Sequence, residues 1–174
     1  MATAADVRVG VNGSVYVAPA ATALTGDTAT DPTTASFTDL GYVSEDGVAQ
    51  TIDRSTSDIK AWGGDVVRTI QTEHSVSYTF TLIETSAEVV QLYYNDPDAT
   101  ATLAEITGAQ AGRHAFIIDV LDGSKKIRLE IPDGEITDTG DVTYATEEAI
   151  GYEMTITCYP DSNGVKVFKR MLLS

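Results

Sequence analysis

Cysteine is nearly absent. Cys158 stands alone among 174 residues, which excludes an intrachain disulfide and a structural zinc site built on several thiolates. Such usage fits a reducing compartment, and within the alternation YEMTITCY Cys158 reads as a small buried hydrophobe. Bases are scarce: 11 Lys and Arg face 26 Asp and Glu, for a net charge of −15. That argues against ordinary binding to nucleic-acid backbones, which needs cations to displace counterions. It leaves either a solubilising surface or one that a polyanion must pass without sticking. No apolar run approaches the ~20 residues of a membrane-spanning helix. The opening MATAADVRVGVNGS lacks a basic region followed by an apolar core and does not read as an export signal.

Catalytic motifs are also missing. His74 and His114 are the only imidazoles. There is no G-x-S-x-G elbow, no Walker A loop and no G-x-G-x-x-G, and the acids do not follow calcium-loop spacing. The triplet Asp138-Thr139-Gly140 resembles the surroundings of the catalytic carboxylate in aspartic proteases. One triplet would require a homodimer, Asp141 follows where a small or apolar residue is expected, and a turn between strands explains the same residues. No enzyme, cofactor or metal site is expected.

What is present is β pattern. At 174 residues, 43% of them hydrophobic, residues 1–174 read as a single domain with a real core. DVRVGVNGSVYVA suggests a short strand pair turned at Asn12-Gly13. Residues 19–36, PAATALTGDTATDPTTAS, hold few large apolar side chains and read as a long arm or loop, either a linker or a segment that orders on a neighbour. FTDLGYVSEDGVAQTID carries turn residues at Asp46-Gly47. SVSYTFTLIE alternates cleanly, with Val76, Tyr78, Phe80 and Leu82 on one face and Ser75, Ser77, Thr79 and Thr81 on the other. Thr85 and Glu88 have capping-box spacing before a helix carrying Val89, Leu92 and Tyr93, ended near Pro97. ATLAEI suggests a further helical turn. HAFIIDVLDGSKKIRLEIP is a hairpin turned at Asp122-Gly123, and the segment after it adds a strand pair whose inner face is Tyr152, Met154, Ile156 and Cys158. GVKVFKRMLLS closes the chain as a short strand. The expected fold is mainly β, an antiparallel sandwich or barrel with one flanking helix.

Charge is unevenly placed. Asp133, Glu135, Asp138, Asp141, Glu147, Glu148, Glu153 and Asp161 fall in a stretch without a base, and Lys166, Lys169 and Arg170 follow it. Adjacent segments of opposite charge suit subunit contact. The stretch KAWGGDVVRTIQTEHS, residues 60–75, gathers the only Trp, a Gly pair and several polar side chains. Gly63-Gly64 marks a turn or bulge, with Trp62 an anchor against its own core or a neighbour.

Residues 40–95 carry a resemblance. LGYVSEDGV, IKAWGGDVVRT, the strand YTFTLIET and the helix after it follow in the order and spacing of the major tail (tail tube) protein of long, non-contractile-tailed bacteriophages. About a third of the chain resembles that family well. The resemblance implies hexameric rings stacked into a hollow tube, with hairpins of each subunit joined into a continuous inner barrel. It implies a virion tail component, assembled in the host cytoplasm, whose partners are itself and the tape measure, tail terminator and distal tail proteins. DNA would pass through the lumen without sequence-specific binding, and no membrane is involved. Trp62, Gly63, Gly64, Asp65 and Arg68 become assembly candidates. Asp133, Glu135, Asp138, Asp141, Glu147 and Glu148 become candidates for an acidic lumen or interface. The arm at 19–36 and the loop near 44–65 become candidates for contacts between rings. Contractile-tail tubes and the type VI secretion tube share the architecture and stand as alternatives, with a non-catalytic β-sandwich binding module behind them.

Overall fold

The computed structural model describes residues 7–172. Seven strands form one antiparallel sheet: β1 (Asn12–Pro19), β2 (Thr38–Lys60), β3 (Val66–Leu82), β4 (Arg113–Asp122), β5 (Lys125–Thr139), β6 (Tyr152–Cys158) and β7 (Phe168–Leu172). The order β4-β1-β2-β3-β6-β5 returns on itself because β4 also pairs β5. Six strands therefore close into a barrel, and closure removes the unpaired edges an open sheet would leave. The long β5 shares one edge between two partners: residues 126–130 pair β7 and residues 134–139 pair β6.

The barrel interior follows from period-2 alternation. Val76, Tyr78, Phe80 and Leu82 of β3 meet Tyr152, Met154, Ile156 and Cys158 of β6, and Phe116 and Ile118 of β4 meet Leu129 and Ile131 of β5. Side chains of this kind contribute about 1.5–3 kcal/mol each when fully buried. Burial pushes the Cys158 thiol up to about 12, which leaves it unreactive. Gly134 is required by crowding: a Cβ there would lie 2.9 Å from Ile156 and from Phe116.

Several local expectations are corrected. Asn12-Gly13 is not a turn but the start of β1, paired with Leu121 and Val120. Asp46-Gly47 lies inside β2 where the register to β3 jumps between Val43 and Val48; Gly47 takes a φ of +70°, the left-handed backbone an irregular strand uses. The region near 44–65 is thus strand as far as Lys60 rather than loop. The helix α1 (Ala87–Tyr94) is capped by Ser86, whose side chain accepts from the Val89 N–H, and not by Thr85. Asn95 in the left-handed conformation ends it, two residues before Pro97. No helical turn forms at ATLAEI. Asp138-Thr139 completes β5 instead of turning.

Residues 20–36 lie against their own barrel. A single 3-10 turn at Pro32–Ala35, capped by Asp31, is their only regular element. Leu24, Ala35 and Phe37 pack on Ala18, Ala115 and Ile117, on the outer face of β1 and β4. Beside that cluster sits a buried ionic network. Arg128 is fully buried and forks onto Asp119, donating Nε to Oδ1 at 2.7 Å and a terminal nitrogen to Oδ2 at 2.7 Å. Its other nitrogen donates to Thr25 Oγ1 and to the Asp27 and Thr30 carbonyls. Glu130, equally buried, accepts from Thr25 Oγ1, the Gly26 N–H and Arg170 Nε. A planar five-donor guanidinium suits this task, satisfying a carboxylate and loop carbonyls at once.

Two outcomes follow. Arg128→Met leaves Asp119 and Glu130 buried with Lys126 and Arg170 as their remaining cationic partners, and chemical denaturation should show a loss of about 3 kcal/mol. Asp27 is held below the usual carboxylate range by the backbone N–H and then the hydroxyl of Thr30, and Asp31 by the hydroxyl and then the N–H of Thr33. Both folded pKa values are depressed, so their contribution is complete above the ordinary carboxylate pKa of about 4. It is lost as pH falls through the lowered folded values. Hydrogen exchange should therefore show residues 25–34 loosening in acid before the barrel amides do.

Candidate assembly surface

Beyond the barrel, β2 and β3 continue as a hairpin with no third strand. β1 pairs β2 only between Thr38 and Tyr42, and β6 pairs β3 only between Ser77 and Leu82. In the stretch beyond these pairings, residues 49–75, β2 and β3 bond to each other, as far back as Ala49 with Thr79, and from outside the hairpin only Lys166 Nζ reaches it, donating to the His74 carbonyl. Nearly every residue of this extension is exposed, including Ile52, Ile59, Val66 and Val67. An isolated two-stranded ribbon is marginal in water, and its two open edges offer rows of unpaired N–H and C=O groups to another chain.

The tip is built by the glycines. The Ala61 N–H donates to the Asp65 carbonyl at 2.8 Å and the Gly64 N–H to the Ala61 carbonyl at 2.9 Å, and Gly64 has a φ of +92°. This confines the turn to five residues. Trp62 projects from it with a relative exposure of 107%, so it is no anchor of its own core. Arg68 sits opposite Ile59 one step down the ribbon.

The two ribbon faces differ. On one, Thr51, Asp53 and Ser55 pair with Ser77, Ser75 and Glu73. This face continues without a break across Thr79 and Thr81 of β3 to Glu153, Thr155 and Thr157 of β6, and on to Glu135 of β5. Hydroxyls bond across it, Thr79 to Thr155 at 2.9 Å and Thr137 to Thr157 at 2.7 Å. The result is a four-stranded wall of Ser and Thr studded with carboxylates. Below the tip it carries no base of its own.

The acidic candidates divide. Asp133 and Glu135 are held by Arg113 at 2.8 and 3.2 Å, and that guanidinium also lies 3.4 Å over the Tyr159 ring. The base comes from β4, outside the acidic stretch, so these two acids are not free charge. Asp138, Asp141, Glu147 and Glu148 are exposed. Sequence reasoning passed over Asp53 and did not select Glu153, though the period-2 pattern of β3 and β6 marks the face both belong to. It also missed the Asp119–Arg128–Glu130 network, because charged residues alternating with apolar ones read as a solvated strand face. His74 precedes the buried part of β3, and its carbonyl accepts from Lys166 Nζ. The His114 ring turns to the nearby Gly112 carbonyl. Neither imidazole contacts a nucleophile or a carboxylate in these bonds.

A closed barrel that extends a polar-faced hairpin leaves the hairpin's outer edges unpaired within its own chain. The family model for the phage tail tube protein matches residues 1–170, and the chain belongs to that family, a structural component of phage and phage-like tails. No curated protein sequence matches it. Among solved structures it shares its fold with a chain of the sheath–tube complex of PVC, an extracellular contractile injection system, in the extended state. That match has a TM-score of 0.54 at 11% identity and covers 96% of this chain and 93% of the other. It also resembles a chain of the tube-terminating cap of the anti-feeding prophage, with a TM-score of 0.54 at 11% identity over 99% and 100% of the two chains. Among the described residues no helix is long and apolar enough to cross a membrane.

Because Trp62 touches no core, Trp62→Ala should leave monomer stability within about 0.5 kcal/mol of the parent in thermal or denaturant melts.

Proposed function

We propose that the chain polymerises as stacked hexameric rings into the hollow tube of a long, non-contractile tail, and that viral DNA passes through it to the host. The observation that carries this reading is the β2–β3 ribbon. Its edges are open, its hydrogen-bonding groups lack a third strand, and one of its faces is continuous with the Ser/Thr wall of the barrel. Edge-to-edge pairing of ribbons from neighbouring copies would satisfy both edges and join the walls into one inner surface. Asp53, Glu73 and Glu153 then line the lumen. A carboxylate wall disfavours adsorption of phosphate, so the polyanion slides without binding. The protein acts without catalysis or cofactor, and its partners are itself and the tape measure, terminator and distal proteins of the tail. The same surface would serve the tube of a contractile system, the setting of one of the similar solved structures. A sheath around the assembled particle separates that reading from this one.

Negative-stain microscopy of the concentrated protein should show rings or tubes, and a chain that stays monomeric at millimolar concentration overturns the proposal. Trp62 is the only tryptophan, so its emission should shift to the blue on polymerisation as neighbouring copies cover the tip; an unchanged spectrum removes Trp62 from the contact. Replacing Asp53, Glu73 and Glu153 by Lys should preserve tube assembly and slow genome release by about tenfold at low salt, with the difference shrinking as salt rises.

A further inference from the structure

The strand β7 has one bonded edge. It pairs β5 through Lys126–Leu172 to Glu130–Phe168 and pairs nothing on its other side among the described residues. Beside Lys169 of β7 lies a groove of about 290 Å³ lined by Ile52, Val76, Tyr78 and Val167; its second cation, Lys166, donates to the His74 carbonyl. Lys169 is exposed and makes no ion pair among the described residues. The groove is thus apolar at its floor and cationic at its rim, beside a strand with unpaired backbone.

The other end of β5 presents the complement. After Thr139 the chain runs without regular structure to Tyr152. It is pinned at its start, where the Gly140 N–H donates to the Glu153 carbonyl at 3.0 Å and the Gly140 carbonyl accepts from the Tyr93 hydroxyl at 2.5 Å. Val142 and Ile150 are half-buried against the core. Between these anchors residues 143–149 are exposed, with Tyr144 at 71% exposure and tied to its own chain by a hydrogen bond with Tyr94, and with Glu147 and Glu148 nearby. The sequence DVTYATEE, residues 141–148, joins β-favouring Val, Thr and Tyr to three carboxylates.

We propose that segment 141–148 of one copy adds to the open edge of β7 in the next, with Tyr144 in the groove and Glu147 and Glu148 facing Lys166 and Lys169. The inference rests on the self-assembly reading above and names a second contact, at the base of the ribbon where Ile52 and His74 line the groove rather than along the ribbon's open edges. The segment starts at Gly140, bonded to Glu153, which pairs Thr81 of β3; the groove's Val76 lies about 17 Å away along that strand at about 3.3 Å per residue, beyond the reach of a segment pinned at Gly140 and Ile150. The contact therefore joins different copies. It uses two different patches, which makes it heterologous and able to propagate as a ring or a stack. Strand addition supplies main-chain hydrogen bonds, and the Tyr pocket and charge pairs supply register.

The test uses charge reversal on exposed residues that the fold does not need. Lys169→Glu alone, and Glu147→Lys with Glu148→Lys, should each raise the concentration needed for polymerisation by about tenfold in sedimentation velocity. An equimolar mixture of the two should recover wild-type assembly, because each swapped surface again meets its opposite. Tyr144→Ala should raise the same threshold while leaving the melting temperature unchanged. Wild-type polymerisation by the separate variants overturns this contact and leaves the self-assembly reading standing. Variants that fail alone and also fail together overturn it too, since the charges then act elsewhere. A wild-type chain that never polymerises overturns both.

Discussion

The structure depends on one constraint: a strand edge must be bonded, covered or matched by another edge. Inside the barrel it is met by closure, with β4 reaching both β1 and β5. Outside the barrel it is not met within the chain. Residues 49–75 continue as a two-stranded ribbon whose edges face solvent. A protein that closes six strands and leaves two of them overlong has a fold complete in its core and incomplete at its rim. Under the proposed reading, that incompleteness becomes the edge contact that neighbouring copies repeat.

Electrostatics work at three depths, and each has its own consequence. Deep on the outer face, Arg128 and Glu130 are fully buried and tie residues 25–30 to the barrel. Such a network is weak evidence of net stability but strong evidence of a defined arrangement, since removing one member strands the others. Arg170 extends it into β7, so the loop and the last strand share a buried carboxylate. At intermediate depth, Arg113 neutralises two members of the acidic stretch. At the surface the remaining carboxylates on the Ser/Thr wall are free to act through space. The net charge of −15 is therefore not one property but several, sorted by the fold.

Much of the core was legible from residues alone. Period-2 alternation identified the inward faces of β3, β4, β5 and β6, because a half-buried strand must place its apolar side chains on every second position. The turn at Asp122-Gly123 was readable because Gly123 takes a left-handed φ of +61°, which few residues tolerate. The helix was legible, and its cap was missed by one residue: Thr85 and Ser86 are chemically equivalent candidates, and only the backbone path decides which oxygen reaches the Val89 N–H. Asn12-Gly13 and Asp46-Gly47 misled for the opposite reason. Their residues permit a turn without requiring one, and pairing to β4 and β3 drew both into strands.

By itself the sequence determined composition and pattern: a chain short of bases and cysteine, mainly β, with one helix, a Gly-turned segment around Trp62 and a polar alternation leading into Val76–Leu82. Only the tertiary structure decided which copy of a pattern faces what. Trp62 stands in solvent because five residues suffice to close the tip and no element lies above it. Arg128 and Glu130 are buried because residues 20–36 fold back over them, a contact a hundred residues apart in sequence that no local pattern encodes. The carboxylates form a wall, a salt bridge or a free segment according to which strand lies beside them. That choice is set by register, which couples distant residues through backbone hydrogen bonds and leaves no mark on either segment alone.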